Sequence, residues 1–222
     1  MAFKEISQGF LTDLDTLISL ADEKNPGLCL QVHSDNVRKY SKIIYDNLPD
    51  YEKVLWKIQE KDDKGNINEM MIPSEFVEKA GYYHDIGKTI VVKFHKGMLE
   101  KEIFTEYDKV NIREHTSFGV ICLQIIASTN SLTDIDTPLF KLMSEACLYH
   151  HERIDGSGYL KMEGWNIPKI GNLIAVADCY SAGIEKRVYA EAKETEIMLR
   201  ELKCMPLNQT YVNALERGLS NP

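Results

Sequence analysis

An all-α bundle with a dinuclear metal centre between its helices is the fold class this chain predicts. Three observations carry it. Apolar residues recur at helical spacing along most of the sequence. Five of the six histidines and two aspartates fall on or beside the helices so predicted, and facing helices of a bundle readily build a metal site. No internal repeat, low-complexity tract or compositional break marks a second domain, so residues 1–222 read as one domain.

The elements follow in order. A first helix fits about residues 3 to 23, where Phe10, Leu11, Leu14, Leu17, Ile18 and Leu20 lie near helical spacing. Asn25-Pro26-Gly27 ends it. A second helix runs from about Leu28 to Leu48, carries His33 and stops before Pro49. Residues 51–72 read either as a helix end plus a loop or as a small hairpin insertion near 54–71. Lys64-Gly65-Asn66 is a turn signal and favours the hairpin. A helix capped by Ser74 leads into His84-Asp85. Thr105 and Asp108 have capping-box spacing and open a long helix to about Ile126, with His115 near its middle. Another helix spans about Pro138 to His150. An irregular glycine-containing loop follows, and Pro168 starts a helix that contains Asp178. Amphipathic helices at about 189–203 and 206–218 finish the chain. They and the first helix could pair two copies as a homodimer, although packing of their apolar faces on the chain's own core is the simpler account.

Composition narrows the function. With 44% hydrophobic and 27% charged residues the chain is an ordinary globular protein, and 222 residues suffice for one buried core. No run approaches 18 apolar residues, so no membrane helix is expected. The start MAFKEISQGF lacks the basic-then-apolar pattern of a secretory signal. Cys29, Cys122, Cys147, Cys179 and Cys204 are odd in number and scattered, without a CxxC pair. That spacing excludes a zinc ribbon or disulfide framework and fits reduced thiols in a cytoplasmic protein. A net charge of −8 disfavours gripping a nucleic-acid polymer by its phosphates. A small anionic substrate stays open, provided cations are supplied at the site.

The chemistry-bearing residues suggest where those cations sit. His33, His84-Asp85 in HDIGK, His115, His150-His151 in HHERIDGSGY and Asp178 in AVADCY offer five imidazoles and two carboxylates. That set suits divalent iron or manganese, and also zinc or nickel. It exceeds the needs of one four-coordinate ion. Two metals would use it fully, and such centres activate water and clamp a phosphoryl group. Asp85 is the natural bridge, Gly87 loosens the backbone beside it, and Lys88 brings an ammonium nearby. His95 has no partner in the pattern and reads as solvated. Trp165 either stacks on a base or packs on the fold.

HDIGK, the later histidine in REHTSFG, then HHERIDGSGY and AVADCYSA, in this order, resemble the HD-GYP subfamily of the HD metal-dependent phosphohydrolases. The resemblance covers about residues 28–190, with the terminal helices flanking. It implies a helical HD core and hydrolysis of a cyclic dinucleotide, usually cyclic di-GMP, to linear pGpG or GMP. By motif the metal ligands would be His33, His84, Asp85, His115, His150, His151 and Asp178. A metal-bridging hydroxide would attack phosphorus in line. Lys88 would contact the scissile phosphate, and Arg153, Tyr159 and Arg187 would help hold the substrate. Some positions depart from the pattern. Cys29 replaces the glutamate of three-metal members, so two metals are expected. Leu160 replaces the proline of GYP, Ser181-Ala182-Gly183 stands where DAL or DAF is common, and Asn172 and Ala190 replace basic residues. These changes touch the substrate grip more than the metal centre. They leave room for a hydrolase of another nucleotide or phosphate ester, or for a module that binds a cyclic dinucleotide without turning it over.

Overall fold

The computed structural model describes residues 5–61, 66–98, 101, 103–185 and 192–220. Among them the fold is an all-α bundle with one two-stranded hairpin. No helix there is long and apolar enough to cross a membrane.

Helix α1 spans Gln8–Lys24. It begins later than residue 3 because Ser7 caps it, its hydroxyl accepting from Phe10 N at 3.2 Å and donating to Asp134 at 2.7 Å. Helix α2, Leu30–Asp46, cannot start at Leu28, because Cys29 has a left-handed φ of 50°. Its first amides are satisfied from outside the helix. The two Asp22 oxygens accept from Leu30 N and Gln31 N, each at 2.8 Å. A short helix α3, Asp50–Lys53, precedes the hairpin. Strands β1 (Lys57–Lys61) and β2 (Ile67–Met71) pair antiparallel from Lys57↔Met71 to Lys61↔Ile67, as the turn signal predicted. Of the turn itself, residues 62–65 lie outside the described residues. Buried Trp56 anchors the hairpin base, its ring 5.2 Å from Tyr45 and 6.1 Å from Tyr211.

Helix α4 spans Ser74–Tyr83; Ser74 is its first residue and not the expected cap, because its hydroxyl donates to Asp46 Oδ1 at 2.9 Å and Pro73 stands at the N-cap. The short helix α5, Lys88–Phe94, is one the sequence pattern did not suggest. The single helix expected from Thr105 to Ile126 is two: α6, Glu106–Arg113, and α7, His115–Asn130. The capping box is present, with Asp108 N donating to Thr105 Oγ1 at 3.2 Å and Thr105 N to Asp108 Oδ2 at 2.9 Å. The break at Glu114 makes His115 the first residue of a helix, not a mid-helix residue. Helix α8 is Pro138–Tyr149, with Thr137 accepting from Phe140 N at 3.2 Å. Helix α9, Lys169–Ile184, is buried along most of its length by Ile170, Leu173, Ile174, Val176 and Ala177.

Helices α10 (Thr195–Cys204) and α11 (Gln209–Ser220) close the fold. The part of the expected 189–203 helix before residue 192 lies outside the described residues. Phe10, Leu14 and Ile18 of α1 and Tyr211, Val212 and Leu215 of α11 are buried in the common core. Each such side chain stabilises by roughly 1.5–3 kcal/mol. These apolar faces are therefore spent within one chain.

Candidate metal centre

The centre forms where helix ends meet. His33 lies in the first turn of α2, His84 follows α4, and Asp85 sits in the turn before α5. His115 opens α7, His150 and His151 follow α8, and Asp178 lies on α9. The last carbonyls of a helix have no partner within it. Histidines at these ends supply one. His84 Nδ1 donates to Gly81 O at 2.7 Å and His150 Nδ1 to Ala146 O at 2.8 Å, and His115 Nδ1 donates to Ile112 O. A carbonyl only accepts, so each of these Nδ1 atoms carries a proton, and it is Nε2 that each ring turns inward.

The inward atoms gather around Asp85, only 1% exposed. Its Oδ2 lies 3.4 Å from His84 Nε2 and 3.6 Å from His33 Nε2. Its Oδ1 lies 3.2 Å from His115 Nε2 and 3.6 Å from His150 Nε2. Asp178 Oδ1 joins the first side, 3.1 Å from His33 Nε2 and 4.0 Å from His84 Nε2. His151 joins the second, its ring 4.2 Å from His150 and 5.0 Å from His115. Donor atoms of His33, His84 and Asp178 all lie within 4.8 Å of one another, and so do those of His115, His150 and His151. The structure thus brings all seven sequence-predicted donors together, with Asp85 between two groups.

This donor set fits divalent cations. His84 Nε2 is buried without a hydrogen-bond partner, and an orphaned buried acceptor is costly unless something electropositive meets it. His115 Nε2 and His150 Nε2 stand 3.2 Å apart, two inward lone pairs facing each other once each Nδ1 is protonated. Charge is arranged to match. Burial pushes the Asp85 carboxyl up, yet Lys88, His84, His115 and His150 together outweigh it and hold the group well below the carboxylate range. Burial raises Asp178 too, but His33 chiefly holds it well below that range. Burial lowers His151, reinforced by His150 and His115, and lowers His115. These shifts favour the deprotonated forms that bind metal, whereas His33, lowered by burial but raised more by Asp178 and Glu185, is shifted toward its protonated form.

Glu185, just beyond α9, is a functional residue the motif reading missed. Its Oε2 accepts from His33 Nδ1 at 3.0 Å, and its Oε1 accepts from Asn36 Nδ2 at 2.8 Å and from Ser181 Oγ. Burial raises its carboxyl, but His33 first, then Ser181 and Asn36, bring it down to about 2. Helical periodicity held the clue, since Glu185 follows Asp178 by two turns. Such carboxylates orient an imidazole ligand. Glu185→Gln is expected to weaken metal binding by about 10- to 100-fold, read by competition against a metal-chelating dye. Equal affinity in the variant would remove this role.

The loop after His151 is shaped by Glu152, a buried carboxylate accepting from Leu160 N and Met162 N, both at 2.8 Å. Glu152→Ala leaves both amides without an acceptor. It is expected to cost roughly 2–3 kcal/mol, measured by urea unfolding; a change within error would show that water replaces the carboxylate. Tyr159 in this loop stacks on His151 with centroids 4.5 Å apart.

The other predicted residues are placed unevenly. Lys88 pairs directly with Asp85. Arg153 points its guanidinium at His150 O (3.1 Å) and Glu152 O (2.8 Å), bracing the loop. Arg187 lies outside the described residues. Asn172 is buried and donates to Ile167 O at 3.3 Å. Cys29 is exposed and belongs to none of the donor groups among the described residues. His95 is half-buried against Tyr107, and Trp165, 93% exposed, does not pack on the fold.

Comparison with known proteins gives the family. The family model described as HD domain matches residues 71–211. A Thermotoga maritima cyclic di-GMP phosphodiesterase is 30% identical over 155 residues, 69% of this chain and 39% of that protein. A probable cyclic di-GMP phosphodiesterase of Vibrio cholerae is 35% identical over 122 residues, 53% of this chain and 26% of the relative. A 3′3′-cGAMP-specific phosphodiesterase 2 of Vibrio cholerae is 29% identical over 133 residues, 58% and 23% of the two chains. This chain therefore spans well under half the length of these relatives.

Proposed function

The chain belongs to the HD-domain family, and on that premise we propose that it is a metal-dependent phosphodiesterase that opens a cyclic dinucleotide, cyclic di-GMP foremost, to linear pGpG or GMP. One observation carries the reading: a single buried carboxylate, Asp85, lies between two groups of inward-facing imidazole nitrogens. The names of the relatives support the substrate class.

On this reading His33, His84, Asp85 and Asp178 would hold one divalent cation and Asp85, His115, His150 and His151 a second; iron and manganese are the metals proposed, and zinc or nickel also suit this donor set. When bound, the pair supplies a water acidified toward neutral pH and positive charge against the phosphoryl oxygens. The chain's own residues do the rest. The Nδ1–H bonds of His84, His115 and His150 fix which nitrogen faces inward, so no rotation is needed when substrate arrives. Lys88 adds an ammonium beside Asp85, placed to meet charge that grows on phosphorus oxygens. Tyr159, held on His151, forms part of the rim the substrate crosses. Hydrolysis of one ring P–O bond consumes one water and gives linear pGpG; GMP requires a second water across the remaining phosphodiester.

All seven donors come from one chain, so the site needs no second copy and a homodimer is not required for it. Residues 1–222 act as one HD unit, with the site inside the 28–190 core. Five free cysteines suit a reducing cytoplasm. Protein loaded anaerobically with Fe(II) or Mn(II) is expected to cleave cyclic di-GMP faster than mixed cyclic GMP-AMP, with products read by chromatography. The cyclic GMP-AMP arm is included because one relative is named for that ring. Two bound metals with no cleavage of either ring would sink the phosphodiesterase reading.

A further inference from the structure

We infer that Arg113 is a specificity residue of this centre, binding the phosphate of a cyclic dinucleotide that is not being cleaved; this rests on the phosphodiesterase reading above. Cleavage occupies one phosphate at the metals, and a cyclic dinucleotide carries a second that must leave water for a protein of net charge −8. A local cation has to receive it; Arg187, expected to help hold the substrate, lies outside the described residues. Two nearby cations are already engaged, Lys88 with Asp85 and Arg153 with the carbonyls of its own loop.

Arg113 is differently placed. It is exposed at the end of α6, two residues before His115, and makes no ion pair among the described residues. Its guanidinium lies over the Tyr159 ring, 5.1 Å from the centroid. The same ring stacks on His151 at 4.5 Å, inclined by 26°. His151, Tyr159 and Arg113 thus form a chain of contacts that begins at the donor cluster. A stacked guanidinium keeps its edge N–H groups free, and those edges match a phosphate bidentately. Stacking also fixes the long side chain before substrate arrives, which lowers the ordering cost. The break at Glu114 allows this placement, because it lets Arg113 end one helix while His115 starts the next.

The test is Arg113→Ala and Arg113→Lys in the metal-loaded protein, against cyclic di-GMP and against bis(p-nitrophenyl) phosphate, which has one phosphate. For Arg113→Ala the ratio of kcat/KM for the dinucleotide over the one-phosphate ester should fall about tenfold, the effect of one partly exposed charged contact. The fall should lie in KM, and Arg113→Lys should recover only part of it, because a lysine keeps the charge but not the planar stack. An unchanged ratio, or a fall in kcat alone, overturns the inference. Equilibrium binding of cyclic di-GMP, read by calorimetry, separates the two ideas. If wild type hydrolyses nothing but binds the dinucleotide about tenfold more tightly than Arg113→Ala does, the hydrolysis reading fails and the grip survives. Equal binding, or none, overturns the grip.

Discussion

Asp85→Ala is expected to lower metal-dependent turnover by at least about 10³-fold, the scale on which a principal stabiliser of a transition state acts. It should also bring bound metal, read by elemental analysis, to well below the wild-type content. The reason is geometric. Among the described residues Asp85 is the one carboxylate whose two oxygens face different donor groups, Oδ2 toward His33 and His84 and Oδ1 toward His115 and His150. Without it, neither group has a shared anion, and four imidazoles and Lys88 are left around an apolar methyl. Cations would then repel Lys88 with no carboxylate between them. Added Mn(II) should raise the thermal midpoint of wild type, since a ligand of the native state stabilises by mass action, and should not raise that of Asp85→Ala. A variant that keeps its full metal load would show that the two donor groups bind independently of Asp85, and the bridging reading would fall.

Gly87→Ala is expected to be the most damaging methyl that can be added to the chain near the site. Gly87 has φ −66° and ψ −17°, values any residue adopts, so its role is not the conformational freedom expected of a glycine in HDIGK. What it lacks is room. A Cβ there would lie 2.0 Å from His115 O and 2.4 Å from Gly119 N, both backbone atoms. The turn that carries Asp85 and the first turn of α7 must separate to admit it. Overpacking of flexible side chains costs typically about 1–3 kcal/mol, and a clash with backbone belongs at or above the top of that range. The thermal midpoint should fall by roughly 10 °C, since about 1 kcal/mol moves a chain of this size by about 2–4 °C. Metal affinity should fall as well, because the His115–Asp85 approach is what the methyl forces open. Gly97→Ala is the matched comparison. Its φ of 74° brings strain, but a Cβ there meets nothing within 4 Å, so it should cost only about 1 kcal/mol. Similar midpoints for the two variants would mean that α7 yields easily, and the close-approach argument would fail.

Much of the molecule was legible in the chain. The seven donors and the motifs that carry them, the hairpin, the Thr105–Asp108 capping box and the helices around Ser74, Pro138 and Pro168 are written in local chemistry. Turn residues, caps and a repeating apolar face act over a few residues, and the same short-range physics operates in sequence and in fold. The rest came from contacts between distant segments. His115 heads a helix, and not its middle, because the chain breaks at Glu114 where α7 packs on Gly87. Asp22 caps α2 from the neighbouring helix. Arg153 turns to carbonyls that only the folded loop presents. Glu185 reaches His33 from a segment 152 residues away. By itself the sequence determined which residues could bind a metal, because donor chemistry belongs to each side chain. Only the tertiary structure decided that Asp85 faces both groups and that Glu185 and Arg113 stand behind and beside them. Those placements follow from helix packing, which no local pattern encodes.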